Sequence, residues 1–132
     1  MTQYQQIIGD ADQLVESGKG LRFEIAPKEA EANAAPERLP AFVIRHQGGF
    51  FAYLNRCGHI AVPLDFMPGE FFTEDGDHLI CATHGATYSP TTGACLGGPC
   101  FGVGLEALDI TIHDNTLYLT DDRYTLVTEL PD

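Results

Sequence analysis

Two short runs of the sequence each pair a cysteine with a histidine: Cys57-Gly58-His59 and Cys81-Ala82-Thr83-His84. Each run offers one thiolate and one imidazole from a single short loop. Thiolate and imidazole ligands together suit iron–sulfur clusters, zinc and copper. The side chains of Cys57, His59, Cys81 and His84 are therefore predicted to form the complete ligand set of one metal centre.

The main alternative to a cluster is structural zinc, which is often held in a tetrahedron by two cysteines and two histidines. Zinc modules usually pair like residues in each loop, cysteine with cysteine and histidine with histidine. Here each loop supplies one residue of each kind, and this arrangement favours a two-iron cluster. A chance scatter of cysteines and histidines is the least favoured interpretation, because both pairs have the same order and lie beside glycines.

The chain has 132 residues and a formal net charge of −12. This length predicts a single domain over residues 1–132. The acidic charge argues against binding to nucleic acid, whose phosphates require clustered lysine and arginine, and against anionic membrane surfaces. It favours a partner protein with a basic surface, because complementary charge speeds encounter. The alternative, that the acidity only maintains solubility, stays open.

The first 20 residues lack the pattern of a signal peptide, and no apolar run approaches the length of a membrane span. The sequence therefore predicts a cytoplasmic protein, in which cysteines stay reduced. Cys95 and Cys100 lie outside the two cysteine–histidine runs and are predicted to be reduced structural thiols. A small disulfide that closes the loop between them is the alternative.

The elements that must position the two runs are predicted to be β-strands. Apolar and β-prone segments recur at short intervals and are separated by turn residues such as Gln47-Gly48, an Asp-Gly pair at residues 75–76, and Asp114-Asn115. This spacing indicates an all-β sandwich or barrel. The predicted strands cover residues 21–25, 41–46, 49–55, 71–73, 78–80, 105–113 and 116–120.

Helix is predicted to be scarce. Residues 10–17 are expected to form two helical turns that end at Gly18. Residues 26–40 are rich in alanine, glutamate and proline and have no apolar period, which predicts a mobile connection. A short helix over residues 28–33 is the alternative for that segment.

The order Cys-x-His … Cys-x-x-His, with Gly85 after the last ligand, resembles the Rieske family of iron–sulfur proteins. The resemblance covers about residues 21–120. It implies an antiparallel β fold whose two ligand loops form a small cluster-binding subdomain, about residues 56–100. It also implies one [2Fe-2S] cluster, with the two cysteines on one iron and the two histidines on the other.

The resemblance extends to residues around the ligands. Gly97-Gly98-Pro99 resembles the loop that covers the cluster in this family, and Tyr88 stands where high-potential members place a hydroxyl near a ligand thiolate. Their additional disulfide would fall at Val62 and Thr83, and their serine at Ala86, so both features are absent. Tyr88 serving only as a core residue is an equal alternative. With one of three features kept, the potential is predicted in the lower half of the range of about −150 to +300 mV.

The family's small soluble members imply a one-electron carrier without enzymatic activity of its own. Such ferredoxins pass electrons from a flavin reductase to a terminal oxygenase. The alternatives are a Rieske-like small subunit of a nitrite reductase, a zinc-stabilised binding module without redox activity, and a redox sensor. The acidic residues nearest the ligand runs are expected to guide docking to a basic partner; they are Glu70, Glu74, Asp75 and Asp77.

Overall fold

The computed structural model describes residues 6–28, 38–56, 63–65, 67–82, 85–98 and 103–127. Among these residues the regular structure is β-strand apart from one 3₁₀ turn at Ala11–Gln13, which confirms the predicted all-β class. No helix in the described ranges is long and apolar enough to cross a membrane. The strands are β1 Ile7–Asp10, β2 Leu21–Pro27, β3 Leu39–His46, β4 Gly49–Leu54, β5 Leu79–Ile80, β6 Thr87–Tyr88, β7 Cys95–Gly97, β8 Ala107–Leu108, β9 Ile110–His113, β10 Thr116–Leu119 and β11 Tyr124–Leu126.

The described strands form three antiparallel sheets. A central five-stranded sheet has the order β11-β2-β3-β4-β8. A three-stranded sheet of order β1-β10-β9 packs on one side of it, and a small sheet of order β5-β6-β7 carries the second cysteine–histidine run on the other. The central sheet is therefore the layer on which both other sheets are built.

Strand β3 is buried on both faces, which explains its continuous apolar run. Phe42 and Ile44 point into one hydrophobic cluster, and Ala41 and Val43 point into another. We call the first the ligand-side core, because it also contains Cys81; its other buried members are Tyr53, Leu64, Phe71, Leu79, Ala86, Tyr88 and Leu105. The second is the far core, whose other buried members are Ala11, Leu14, Ile25, Leu39, Ala52, Leu54, Leu108, Leu117 and Leu119.

Two of the predicted hairpins are present with the expected turn chemistry. β3 and β4 are joined by Gln47 and Gly48, which have φ of +52° and +80°. β9 and β10 are joined by Asp114 and Asn115, with φ of +51° and +65°. Positive φ at both central residues matches the turn to the right-handed twist of the strands, so these local sequences set the register of both pairs.

The third predicted hairpin, over residues 71–80, is formed by fewer ladder contacts. Phe72 and Leu79 pair as an isolated antiparallel bridge. The Thr73 amide donates to the His78 carbonyl at 2.8 Å, and the Ile80 amide donates to the Phe71 carbonyl at 2.9 Å. This hairpin leads directly into Cys81, so it positions the second ligand run.

The helix predicted over residues 10–17 is wrong beyond its first turn. Glu16 instead forms a parallel bridge with Arg45, and the Ser17 amide donates to the Arg45 carbonyl at 2.7 Å. Ser17 has a φ of +53°, which cannot continue a right-handed helix. Pairing with β3 has therefore overridden local helix preference.

The connection predicted over residues 26–40 is shorter, because β2 extends to Pro27 and β3 begins at Leu39. Most of the segment, including most of its alternative helix at 28–33, lies outside the described residues. Four strands were not predicted: β1, β6 and β7, which belong to the sheets that flank the central one, and β11, which forms an edge of the central sheet.

Candidate metal centre

One of the four predicted ligands lies within the described residues. Cys81 has no exposed surface and lies in the ligand-side core. Cys57, His59 and His84 lie outside the described residues, so the full ligand set stays a prediction. The described residues include Arg56, which precedes Cys57, and Ala82 and Gly85, which lie on either side of residues 83–84.

The backbone of the second run closes on itself around Cys81. The Cys81 amide donates to the Ala86 carbonyl at 2.8 Å, and the Gly85 amide donates to the Cys81 carbonyl at 2.7 Å. Gly85 has a φ of +80°, a conformation that side chains with a Cβ rarely adopt. Both ends of the Cys81–Gly85 turn are thereby fixed, and a ligand held this way needs little reorganisation to bind a metal.

The glycine-rich segment after β6 packs directly against this turn. Gly98 has a φ of +79°, and a Cβ there would lie 2.9 Å from the Ala86 Cα and 2.9 Å from the Gly85 carbonyl oxygen. Gly97 pairs with Thr87 in the small sheet. The structure thus brings Gly98 against the two residues that follow the second ligand run, whereas Pro99 lies outside the described residues.

Two buried tyrosines lie in the ligand-side core. Tyr53 donates to the Pro90 carbonyl at 2.7 Å, and burial raises the pKa of its hydroxyl, so this residue stays protonated. Tyr88 is fully buried in β6, opposite Leu79 on one neighbouring strand and Cys95 on the other. A hydrogen bond from Tyr88 to a ligand thiolate remains a prediction. Ala86 is also fully buried, and its methyl group offers no donor.

Cys95 differs from the sequence-based expectation. It is disulfide-bonded, whereas the sequence predicted a reduced thiol, and its partner lies outside the described residues. The expectation rested on the redox state of the cytoplasm, which carries no information about geometry. A disulfide that closes the loop between Cys95 and Cys100 was the alternative interpretation, and Cys100 lies outside the described residues.

A buried polar pair next to the ligand runs was missed by the sequence interpretation. Asn55 and Asp65 are buried, and the Asn55 side-chain amide donates to Asp65 Oδ1 at 2.9 Å. The available signal was weak: Asn55 ends an apolar strand run two residues before Cys57, where a polar side chain must find a partner. Its partner is ten residues away and was not visible as a pattern.

One carboxylate of the acidic hairpin turn, that of Asp75, is held by hydrogen bonds. The Thr73 hydroxyl donates to Asp75 Oδ1 at 2.5 Å, and the Asp77 amide donates to the same oxygen at 3.0 Å. These hydrogen bonds lower the pKa of the Asp75 carboxyl. Glu70, Glu74, Asp75 and Asp77 are all exposed.

The described residues fit an iron–sulfur cluster. Cys81 supplies a soft ligand that is fully buried and fixed by two backbone hydrogen bonds. The glycines at positions 85 and 98 place no side chains beside the turn that carries it. Exclusion of water around ligand sulfur is one of the factors that set the potential of such clusters.

Comparison with known proteins agrees with this fit. The Rieske [2Fe-2S] domain family matches residues 7–110. No curated protein matches the sequence. The fold is similar to a chain in a structure described as the complex of reduced oxygenase and oxidized ferredoxin in carbazole 1,9a-dioxygenase, with a TM-score of 0.64, 23% identity, and coverage of 92% of this chain and 97% of that chain.

Two further structures share the fold. The ferredoxin of carbazole 1,9a-dioxygenase from Nocardioides aromaticivorans IC177 has a TM-score of 0.64 and 20% identity, and the match covers 88% of this chain and 96% of that chain. The Sphingomonas yanoikuyae B1 ferredoxin has a TM-score of 0.60 and 20% identity, with the same coverage. Since the family match spans most of the sequence, the chain belongs to the Rieske [2Fe-2S] domain family.

Proposed function

We propose that this chain is a one-electron carrier that delivers electrons to a terminal oxygenase and has no substrate chemistry of its own. The observation that carries the proposal is the fully buried Cys81, held by two backbone hydrogen bonds within a Rieske domain. Cys57, His59, Cys81 and His84 would hold a [2Fe-2S] cluster. When bound, such a cluster supplies reversible transfer of single electrons.

The chain's own residues shape the surroundings of that centre. The Cys81–Gly85 turn holds a thiolate ligand in place, and the ligand-side core excludes water from behind it. Gly98 allows the glycine-rich segment to lie against Ala86 without an intervening side chain. These contacts favour fast electron transfer, because a preorganised site changes little between its two redox states.

The proposed acceptor surface combines acidic and apolar residues. The hairpin that leads into Cys81 exposes Glu74, Asp75 and Asp77. Exposed apolar side chains lie at Met67 and Leu96, on the two described segments that adjoin the second ligand run. Such a surface suits transient docking, in which charge steers the encounter and a small apolar contact holds it. A complex with an oxygenase is known for a structural neighbour, and we infer the same class of partner here, with a flavin reductase as the donor.

The test of the carrier function is electron paramagnetic resonance of anaerobically purified protein, with iron and zinc measured on the same sample. We expect two irons per chain, no signal from the oxidised protein, and a low-average-g signal after reduction with dithionite. One zinc per chain without a signal would overturn the proposal, leaving a structural metal module. The cytoplasmic location expected from the sequence remains a prediction.

The docking surface is tested by stopped-flow reduction of oxidised cytochrome c, a basic one-electron acceptor, at several salt concentrations. The variant Glu74→Gln with Asp77→Asn should lower the second-order rate constant and its salt dependence. The matched control is Asp12→Asn with Asp114→Asn, which removes the same charge from exposed positions outside the hairpin. Equal slopes for the two double variants would show that the hairpin does not guide docking.

A further inference from the structure

A carboxylate without solvent contact lies among the segments that flank the two ligand runs. The Asp65 side chain has no exposed surface. One of its oxygens accepts from the Asn55 side chain at 2.9 Å, and the other accepts from the Gly69 amide at 2.9 Å. Arg22 Nε, on a half-exposed side chain from β2, lies 3.4 Å from that second oxygen. With donors on both oxygens, this carboxylate has one orientation.

Asn55 ties the carboxylate to the first ligand run. It is fully buried, follows the last residue of β4, and precedes Cys57 by two residues. The side-chain oxygen of Asn55 accepts from the Leu64 backbone amide at 2.8 Å. The backbone amide of Asn55 donates to the Pro40 carbonyl at 2.8 Å. The segment Leu64–Asp65 therefore holds the chain immediately before Cys57 through both ends of one side-chain amide.

The same segment also holds the second ligand run. The Ala82 amide donates to the Leu64 carbonyl at 2.9 Å, directly after Cys81. Leu64 is itself buried in the ligand-side core beside Cys81. A continuous series of hydrogen bonds thus runs from Asn55 through Leu64 to Ala82, with Asp65 fixed at its centre.

We propose that Asp65 and Asn55 are positioning residues that set the separation of the two ligand runs, and that Arg22 balances the charge of this pair. The inference rests on the proposed function, since it concerns retention of the metal centre. Ligand groups must be held within about 0.5 Å of productive geometry, and partners outside the ligand set supply that precision. Loss of a buried donor or acceptor leaves its partner unsatisfied, so a single change here should loosen both runs together.

The pair allows a test that separates hydrogen bonding from charge. Asp65→Asn alone places an amide group against existing donors, and Asn55→Asp alone places two carboxylates together. In the double exchange, the amide at position 65 donates to the carboxylate at position 55. The remaining oxygens can still accept from the Leu64 and Gly69 amides. The hydrogen-bond pattern is kept while the negative charge moves toward Cys57.

The experiment measures the half-life of bound iron under a competing chelator, and the paramagnetic spectrum of the reduced protein, for both single variants and the exchange. We expect each single variant to lose iron about tenfold faster and to show shifted g values. The exchange should restore the half-life to within about threefold of the parent protein. Far-ultraviolet circular dichroism checks that each variant folds.

Arg22→Gln provides a variant that leaves the Asn55–Asp65 contact in place, should a single variant fail to fold. We expect iron loss a few-fold faster than in the parent protein. The control is Glu24→Gln on the same strand, which removes an exposed ion pair with Arg38 and should change nothing. Parent-like retention in folded Asp65→Asn, or an exchange no better than the worse single variant, would overturn the inference.

Failure of the proposed function gives a different result. If the parent protein holds zinc and shows no paramagnetic signal, the electron-carrier proposal fails. The ratios of metal retention among the same variants, measured for zinc, would still test whether Asp65 and Asn55 position the ligand runs. The metal content and spectrum of the parent protein therefore test the electron-carrier proposal, and the retention ratios of the variants test the positioning role.

Discussion

Two regions of the molecule each contain a buried aspartate beside an arginine, Asp65 with Arg22 and Asp121 with Arg123, and the two pairs have different roles. Both side chains are shielded from solvent, and each lies beside an arginine whose side chain is about half exposed. Arg123 approaches Asp121 closely, with two of its nitrogens at 2.8 and 2.9 Å, from two residues away. Arg22 lies 3.4 Å from Asp65 and comes from a distant part of the chain.

The partners of the two carboxylates explain the difference. Asp121 also accepts from the Asp109 amide, and Arg123 donates to Glu106 and to the Ala107 carbonyl, so the cluster clamps the β8 region to the chain entering β11. Asp65 instead accepts from Asn55 and Gly69, beside the ligand runs. A tight local ion pair stabilises the fold, whereas a carboxylate fixed by neutral donors is suited to positioning. The following predictions separate effects on the metal centre from effects on the stability of the fold, from the largest expected effect to the smallest.

Gly98→Ala should disrupt the ligand side most severely. The new Cβ would lie 2.9 Å from backbone atoms of both Gly85 and Ala86, in addition to the strain of a positive φ. We expect a loss of about 3 kcal/mol in the free energy of unfolding, with reduced iron content.

Gly48→Ala is the matched control, because its φ is +80° but no atom lies within 4 Å of the added Cβ. It should cost about 1 kcal/mol and leave iron content unchanged. Equal effects in thermal unfolding and iron analysis would show that close approach at Gly98 is unimportant.

Asp121→Asn should destabilise the fold without changing the paramagnetic spectrum. Hydrogen bonds from Arg123 hold the pKa of the Asp121 carboxyl at about 2, below its ordinary 3.8. A lowered pKa means that the folded state favours the ionised form. The stabilisation, about 2 kcal/mol, is therefore complete above about pH 4 and is lost as the pH falls toward 2. Urea unfolding of parent and variant at pH 6 and pH 2.5 checks this. A difference in stability that does not shrink at the lower pH would contradict the assigned cause.

Ala86→Ser should raise the reduction potential with little change in fold. Ala86 is fully buried, and its carbonyl accepts from the Cys81 amide, so an added hydroxyl lies close to the ligand turn. A new hydrogen bond to sulfur that is stronger in the reduced state by about 1 kcal/mol corresponds to about 40 mV for one electron. Protein-film voltammetry measures the shift. Ala94→Ser, at an exposed position, is the control and should leave the potential unchanged.

Tyr88→Phe should lower the potential by no more than about 40 mV, since it removes at most one hydrogen bond of this kind. Tyr53→Phe is the control: its hydroxyl is committed to the Pro90 carbonyl, so this variant should lose some stability at constant potential. The same voltammetry on both variants separates the two tyrosines. A shift for Tyr53 but none for Tyr88 would reverse the roles assigned to them.

The parts of the fold that the sequence predicted are those encoded locally. Turn pairs such as Gln47-Gly48 and Asp114-Asn115 favour positive φ by themselves, and the strands on either side follow from them. β1 and β11 were missed because they are short and pair with strands distant in the chain, β10 and β2 respectively. The helix expected over residues 10–17 failed for the same reason, since pairing with Arg45 decides its conformation.

The candidate site divides in the same way. The ligand set was predicted from residue type and spacing, and it stays a prediction because only Cys81 lies among the described residues. Gly97-Gly98 was noticed only through the family resemblance, and the structure supplies a physical reason at Gly98, where a Cβ would meet the backbone of Gly85 and Ala86. The contacts of Asp65 with Asn55 and Arg22 join three separate segments of the chain, so no local sequence pattern could have predicted them. The disulfide of Cys95 was only the alternative interpretation, because the reducing compartment expected from the sequence outweighed a geometry that allowed it.

Strand β3 has a consequence for how the protein opens. Its residues 41–44 contribute alternately to both cores, and it pairs along most of its length with β2 and β4. Neither layer can separate from the central sheet without exposing one face of this strand to water. The amide protons of β3 should therefore be the last to exchange with deuterium, at the rate of global unfolding. Exchange near the ligand runs would then report only local opening, even as metal is gained or lost.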